Sequence, residues 1–195
     1  EIRLAKFLIK NLNQGDNFVD IGAHYGYFTL LGAHLVGKGG RVFSFEPGKS
    51  TYSLLEKNTT EIPNINVFNL AVSDKCGLIS FYEFPSMYSE YNSKDVAQFE
   101  REDWFISVKP KRVDVDAITI DQIVTDNKII PTIIKMDVEG GEYDVIKGAM
   151  NYLSLNNTYL VMEYLASERQ NSNHKKAAEL LRSIGYKSYL INAEG

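Results

Sequence analysis

Apolar and polar positions along the chain alternate between two periods. In residues 4–13, Ala5, Leu8, Ile9 and Leu12 follow the i, i+3, i+4, i+7 spacing of a helix laid on a core, and Gln14-Gly15-Asp16 ends it. Residues 17–23 (NFVDIGA) form a short, nearly continuous apolar run closing on glycine, the pattern of a buried parallel strand that feeds a loop. A second helix is predicted over residues 26–36, stopped at Gly37. The pattern then repeats, with a strand at 41–46 (RVFSFE), a helix at 49–58 and a strand at 66–72 (NVFNLAV). Strands alternating with helices imply parallel βαβ units with right-handed crossovers.

The rhythm breaks after Asp74. Residues 77–84 (GLISFYEF) predict an extra strand, and residues 85–111 are polar, dotted with aromatics and without clear period. Extended structure returns at 113–120, where Thr119-Ile120-Asp121-Gln122 has the form of a capping box opening a short helix to residue 125. A strand at 132–138 (TIIKMDV) follows, then a helix over 141–153 with its stripe at Ile146, Ala149, Met150 and Leu153, and a strand at 159–164. The last helix uses Ala177, Leu180, Leu181 and Ile184, and a final strand is predicted at 187–191. With six core strands and no internal repeat, the expectation is one α/β domain over residues 1–195. Its mostly parallel central sheet is flanked by helices, and residues 85–111 form an irregular insert.

Composition narrows the function. At 195 residues and 44% hydrophobic content the chain can bury a core without disulfides or metals. The net charge of −4 leaves no electrostatic footprint for a phosphate backbone and disfavours anionic membranes, so neither nucleic acid nor a membrane is the expected partner. Cys76 is the single cysteine, which excludes an internal disulfide and suits a reducing, cytoplasmic setting. No stretch reaches the roughly 18 apolar residues that span a bilayer. Oligomeric state is not legible.

Four segments carry candidate chemistry. Val19-Asp20-Ile21-Gly22-Ala23-His24-Tyr25-Gly26-Tyr27-Phe28-Thr29 is a strand ending in a glycine loop that opens a helix, whose unpaired N–H groups suit a nucleoside ligand. Its Gly-x-x-x-Gly spacing lacks the third glycine of the dinucleotide fingerprint. Glu46 ends the second strand beside that loop, where a carboxylate can accept both hydroxyls of a ribose. Asn69, Ala71, Ser73 and Asp74 form the end of the third strand and its loop, a place for an adenine; between Ser73 and Asp74 the pattern does not choose.

The fourth segment, Lys135-Met136-Asp137-Val138-Glu139-Gly140-Gly141-Glu142, lies at the carboxyl end of a strand, where open α/β sheets bind ligands. Lys135, Asp137 and Glu139 share one face if the strand stays regular. A lysine within an apolar run needs a partner, and Asp137 or Glu142 is the expected one. Glu163, ending the next strand, could join Asp137 and Glu139 in a cluster of acids. Such a cluster is either a general base with a raised pKa or a set of oxygen ligands, and no metal ligands are assigned. His24, His34 and His174 lack ligand spacing; His34 and His174 read as ordinary helix residues, whereas His24 can reach a cofactor or acceptor.

Together, VDIGAHYGYFTLLGA, FSFEP, NVFNLAVSDKCG, ITIDQIV and IKMDVEGGEYDVIKGA resemble the FkbM family of methyltransferases dependent on S-adenosylmethionine (SAM), over about residues 18–163. The resemblance implies a Rossmann-like class I methyltransferase fold, SAM as cofactor, and O-methylation of a hydroxyl on a sugar, polyketide or other small natural product. It places Asp20, Gly22 and Gly26 at the methionine end and Glu46 at the ribose; Ala23, Tyr27, Ala71, Ser73, Asp74 and Asp137 are the further expected cofactor contacts. Asp137, Glu139 and Glu163 become the candidate catalytic acids. Residues 85–111, with Met87, Tyr88, Tyr91, Phe99, Trp104 and Phe105, form either an acceptor lid or a loop packing its own aromatics. His24 and Tyr25 depart from the Asn and aliphatic residue common in the family. A nicotinamide-dependent oxidoreductase and a non-catalytic SAM-binding scaffold are the competing expectations.

Overall fold

The computed structural model describes residues 1–94, 96, 99, 103–164 and 172–195. The apolar runs form β1 (Asn17–Ile21), β2 (Arg41–Phe45), β3 (Ile65–Phe68), β7 (Ile133–Met136) and β8 (Tyr159–Met162), which pair in the order β3-β2-β1-β7-β8, every neighbour parallel. The chain moves outward from β1 to β3 and later returns to lay β7 on the other side of β1. The order therefore reverses between β1 and β7, and a crevice opens at their carboxyl ends.

Strand alternation sorts the apolar side chains into two layers. Val19, Ile21, Phe43, Phe45, Ile134 and Met136 face α5 (Ile120–Asn127), α6 (Glu142–Lys147), α7 (Met150–Leu153) and α8 (Ser172–Ser183). Phe18, Val42 and Ile133 face α1 (Ile2–Asn11) and α2 (Tyr27–Val36). On that second face a polar row interrupts the core: Asp20 stands in register with Ser44 on one side and Lys135 on the other. Thr29 of α2 donates to Asp20 Oδ2 at 2.7 Å and meets Ser44 Oγ at 2.9 Å. Lys135 Nζ lies 3.1 Å from Asp20 Oδ1, with both side chains buried. The expected lysine partners, Asp137 and Glu142, are thus replaced by Asp20, because direct β1–β7 pairing places that carboxylate beside the amine.

Several boundaries differ from expectation. The strand read over 66–72 splits into β3 and β4 (Ala71–Val72), and β4 joins a second sheet, β4-β6-β5, with β5 (Gly77–Glu83) antiparallel to β6 (Lys111–Ile118). Thr119 caps α5 by accepting from the Gln122 N–H, as its sequence requires. The helix read over 141–153 breaks into α6 and α7 at Gly148, where an added Cβ would lie 2.1 Å from the Ser73 carbonyl oxygen. Residues 187–191 form no strand, since no ladder partner takes their backbone. The tail lies instead on α1, where Lys6 Nζ donates to the Ala193 carbonyl. After α3 (Lys49–Thr59), β4 and β5, the insert contains a 3₁₀ helix (Ser86–Tyr91) and α4 (Asp103–Ser107). Among the described residues no helix is long and apolar enough to cross a membrane.

Truncating one member of a buried ion pair leaves the other charge without compensation, which costs about 3–5 kcal/mol. Lys135→Met is expected to lose that much in urea unfolding, and Lys135→Met with Asp20→Leu to recover most of it.

Candidate functional site

Where β1 ends, the chain turns through left-handed backbone at Gly22 (φ 71°) and His24 (φ 51°) before α2 begins after Gly26. The Gly22 and Ala23 amides both donate to the Phe45 carbonyl, tying the loop to the end of β2. From β7, the Asp137 backbone presses against the same point, so a Cβ on Gly22 would lie 1.8 Å from its carbonyl oxygen. Lys135 Nζ reaches from below to the Gly22 carbonyl at 2.8 Å. Over this floor lies a cleft of about 390 Å³, within the usual range for small-molecule sites.

Glu46 follows β2 and is buried at the cleft wall. Its carboxylate accepts from the His24 N–H at 3.0 Å and the Gly48 N–H at 2.9 Å. Burial pushes its pKa from 4.5 to about 7, and these two backbone donors only partly oppose the shift. Asn69 turns back to donate to the Glu46 and Pro47 carbonyls, so it shapes the strand end. Ala71 and Ser73 line the cleft. Asp74 does not: it pairs with Lys147 at 2.7 Å, and that hydrogen bond holds its carboxyl below the usual range. The structure thereby settles which of the two neighbouring polar side chains reaches the cleft.

On the opposite side, Asp137 and Glu139 line the cleft, and their carboxylate oxygens lie with that of Glu163 within 4.8 Å of one another. They are not brought together by strand alternation. The strand stops at Met136, and left-handed backbone at Glu139 (φ 50°) and Gly140 (φ 93°) re-aims the chain into α6. Glu163, just past β8, stands behind the other two, outside the cleft lining. Of the remaining predicted residues, Gly22, Ala23 and Tyr27 line the cleft. Asp20 is buried behind the loop in its pair with Lys135, and Gly26 packs against Leu55 without lining the cleft.

The insert supplies a wall and also packs upon itself. Trp104 stacks on Tyr91 and Tyr88, with ring centroids 4.4 and 5.3 Å apart, and Phe84, Phe99 and Phe105 close around them. Its polar residues Ser89, Glu90, Asn92 and Lys94 face the cleft. Lys94 pairs with Asp144 of α6 at 2.5 Å, a contact between residues 50 positions apart that an aperiodic insert does not announce. His174, read as an ordinary helix residue, is buried with its Nε2 3.3 Å from Glu142. The Glu142 carboxylate beside it raises its pKa.

Residues 20–188 match the family described as Methyltransferase FkbM domain. The hexuronic acid methyltransferase AglP of Haloferax volcanii is 25% identical over 160 residues, covering 81% of this chain and 60% of that protein. The chain thus spans less than two thirds of the curated relative it matches. A methyltransferase FkbM structure from Methylobacillus flagellatus superposes with a TM-score of 0.58 at 20% identity, over 87% of this chain and 37% of that one. Aeropyrum pernix fibrillarin, in complex with natively bound S-adenosyl-L-methionine, gives 0.52 at 13% identity, over 98% and 70%. The fold is that of the class I SAM-dependent methyltransferases, a parallel sheet flanked by helices.

Two outcomes follow from the geometry. Gly22→Ala meets both a left-handed φ and the Asp137 carbonyl. Circular dichroism is expected to show the sheet retained, while binding of S-adenosylhomocysteine measured by calorimetry falls at least tenfold. For Glu46, the folded chain keeps its proton up to about pH 7 and the unfolded chain only to about 4.5, so the folded state binds more protons between them. Stability therefore falls as pH rises through that window, by about 3 kcal/mol at most. Denaturation of Glu46→Gln at pH 5 and pH 8 is expected to show the decline removed.

Proposed function

Because the chain belongs to the FkbM methyltransferase family, we propose that it moves the methyl group of SAM onto an oxygen of a small hydroxylated acceptor, a sugar foremost. The observation that carries this reading is the meeting of the glycine loop and the Asp137 backbone at the switch point, with the buried Glu46 carboxylate on one side and a group of acids on the other. A loop with no room for a Cβ, a cleft of about 390 Å³ and a buried carboxylate ready for hydroxyl donors suit a nucleoside cofactor. The relative named as a hexuronic acid methyltransferase supports the sugar.

When bound, SAM supplies a methyl carbon made electrophilic by its sulfonium. Gly22, Ala23 and Tyr27 would hold the methionine end, Glu46 the ribose hydroxyls, and Ala71 and Ser73 the adenine. Asp20 serves through Lys135, and Gly26 by letting α2 start against Leu55. The chain's task is to place the acceptor oxygen in line at near-attack distance and to take up its proton. Asp137 and Glu139, backed by Glu163, are the proton acceptor or the groups that orient it.

A nicotinamide-dependent oxidoreductase would use the same loop and acid. Calorimetry separates the two: selective binding of S-adenosylhomocysteine over NAD supports methyl transfer, and the reverse sinks it. Binding with no transfer of labelled methyl from SAM to any member of a panel of glycosides and polyols would favour a scaffold. Since a ribose donates hydrogen bonds, the ionised Glu46 is the binding form. With a pKa of about 7, affinity for S-adenosylhomocysteine is expected to rise about tenfold from pH 6 to pH 8 and to be flat in Glu46→Gln. Asp137→Asn and Glu139→Gln are expected to lower kcat by about 100-fold with little change in cofactor affinity.

A further inference from the structure

The Ser89 hydroxyl has one proton and two lone pairs, and three groups crowd it. The Ser86 carbonyl oxygen lies at 3.0 Å, the Tyr25 hydroxyl at 2.8 Å and His24 Nε2 at 3.0 Å. A carbonyl can only accept, so the Ser89 proton points to Ser86. Both lone pairs then receive donors, Tyr25 O–H and His24 Nε2–H. This is the one assignment that satisfies all three contacts, and Ser89 is too buried to turn to water. It fixes the tautomer of His24: the proton is on Nε2 and the lone pair on Nδ1.

Among the described residues the ring's hydrogen bond is the one made at Nε2, on the Ser89 side. His24 lines the cleft. Its ring lies 3.7 Å from that of Tyr25, which restrains the imidazole plane, and its backbone N–H is held by Glu46. The base is thus oriented by groups on the wall of the insert and on the cofactor side.

We propose that His24 Nδ1 accepts the proton of the acceptor hydroxyl during methyl transfer, in a tautomer imposed by Ser89. The assignment rests on the methyl-transfer reading and deepens it, with Asp137 and Glu139 as the orienting charges. The acceptor oxygen forms its bond to the methyl carbon, the carbon–sulfur bond breaks with its electron pair going to sulfur, and the O–H proton passes to Nδ1. The products are a methyl ether, a thioether and an imidazolium. Burial holds the His24 pKa below its ordinary value, which favours the neutral ring with a lone pair to accept a proton. Glu90 on the 3₁₀ helix and Asp137 after β7 favour the imidazolium, whereas Lys135 beneath opposes it.

The tautomer is read directly from long-range ¹H–¹⁵N spectra of the full chain labelled at histidine, with S-adenosylhomocysteine bound. The expected pattern at His24 is protonated Nε2 and pyridine-like Nδ1, becoming a mixture in Ser89→Ala. His24→Gln is expected to keep S-adenosylhomocysteine affinity within about threefold while transfer to the best acceptor of the glycoside panel falls about 100-fold or more, and to lose the acid limb of the kcat–pH profile. A protonated Nδ1 in the wild-type chain overturns the assignment, whatever acceptor is found. So does His24→Gln with kcat within threefold and its acid limb unchanged. Failure of the wild-type chain to bind S-adenosylhomocysteine would instead overturn the underlying reading.

Discussion

The cleft depends on a lysine in the interior of a parallel sheet. Lys135, Asp20 and Ser44 stand in register on three adjacent strands, and Thr29 closes the row from α2. A buried ion pair of this kind gains little over apolar residues of the same volume, because desolvation of both charges offsets their attraction. Its contribution is positional. The same ammonium that neutralises Asp20 also binds the Gly22 carbonyl, so the first peptide of the glycine loop is anchored to β7 as well as to β1. The Phe28 ring, 5.5 Å from the ammonium, covers it from the helix side. The Gly22 and Ala23 amides tie the same loop to Phe45 of β2, so the floor of the cleft is held from both neighbouring strands.

Much of this was legible in the sequence, where local pattern decided structure. The apolar runs at residues 17–23, 41–46 and 132–138 have one environment in which they bury both faces, and they became β1, β2 and β7. Thr119 and Gln122 set the start of α5 through a contact three residues long. The approach of the glycine loop to the acids was legible as well, since both segments end strands of one parallel sheet. What the sequence hid was pairing across distance. The partner of Lys135 lies 115 positions away, in a strand whose adjacency follows from topology, and nearer carboxylates were plausible substitutes. Ser89 and Lys94 lie in an insert with no period, so nothing local revealed which of its residues face the cleft. The strand expected at 187–191 failed for the complementary reason: alternation describes a strand only if an edge receives it.

The two loops that meet at the switch point share one further property. Of the three non-glycine residues with left-handed backbone among the described residues, Lys128 caps α5, a routine use, but His24 and Glu139 lie in the two loops facing each other across the cleft. Each follows or precedes a glycine that is itself left-handed within two residues, Gly22 and Gly140. Such backbone persists where surrounding structure over-determines it, at a cost of order 1 kcal/mol per residue. The over-determination is visible here: paired bonds from Gly22 and Ala23 to Phe45, the Lys135 clamp, the Glu46 carboxylate on the His24 amide, and the Ser89 hydroxyl on its ring. The strain places two polar side chains at the carboxyl ends of β1 and β7, where a regular strand would have aimed them into the core layers. A sheet rigid enough to hold both loops in this conformation is therefore the condition for chemistry at its edge, and the buried polar row supplies that rigidity at the one level where the loops begin.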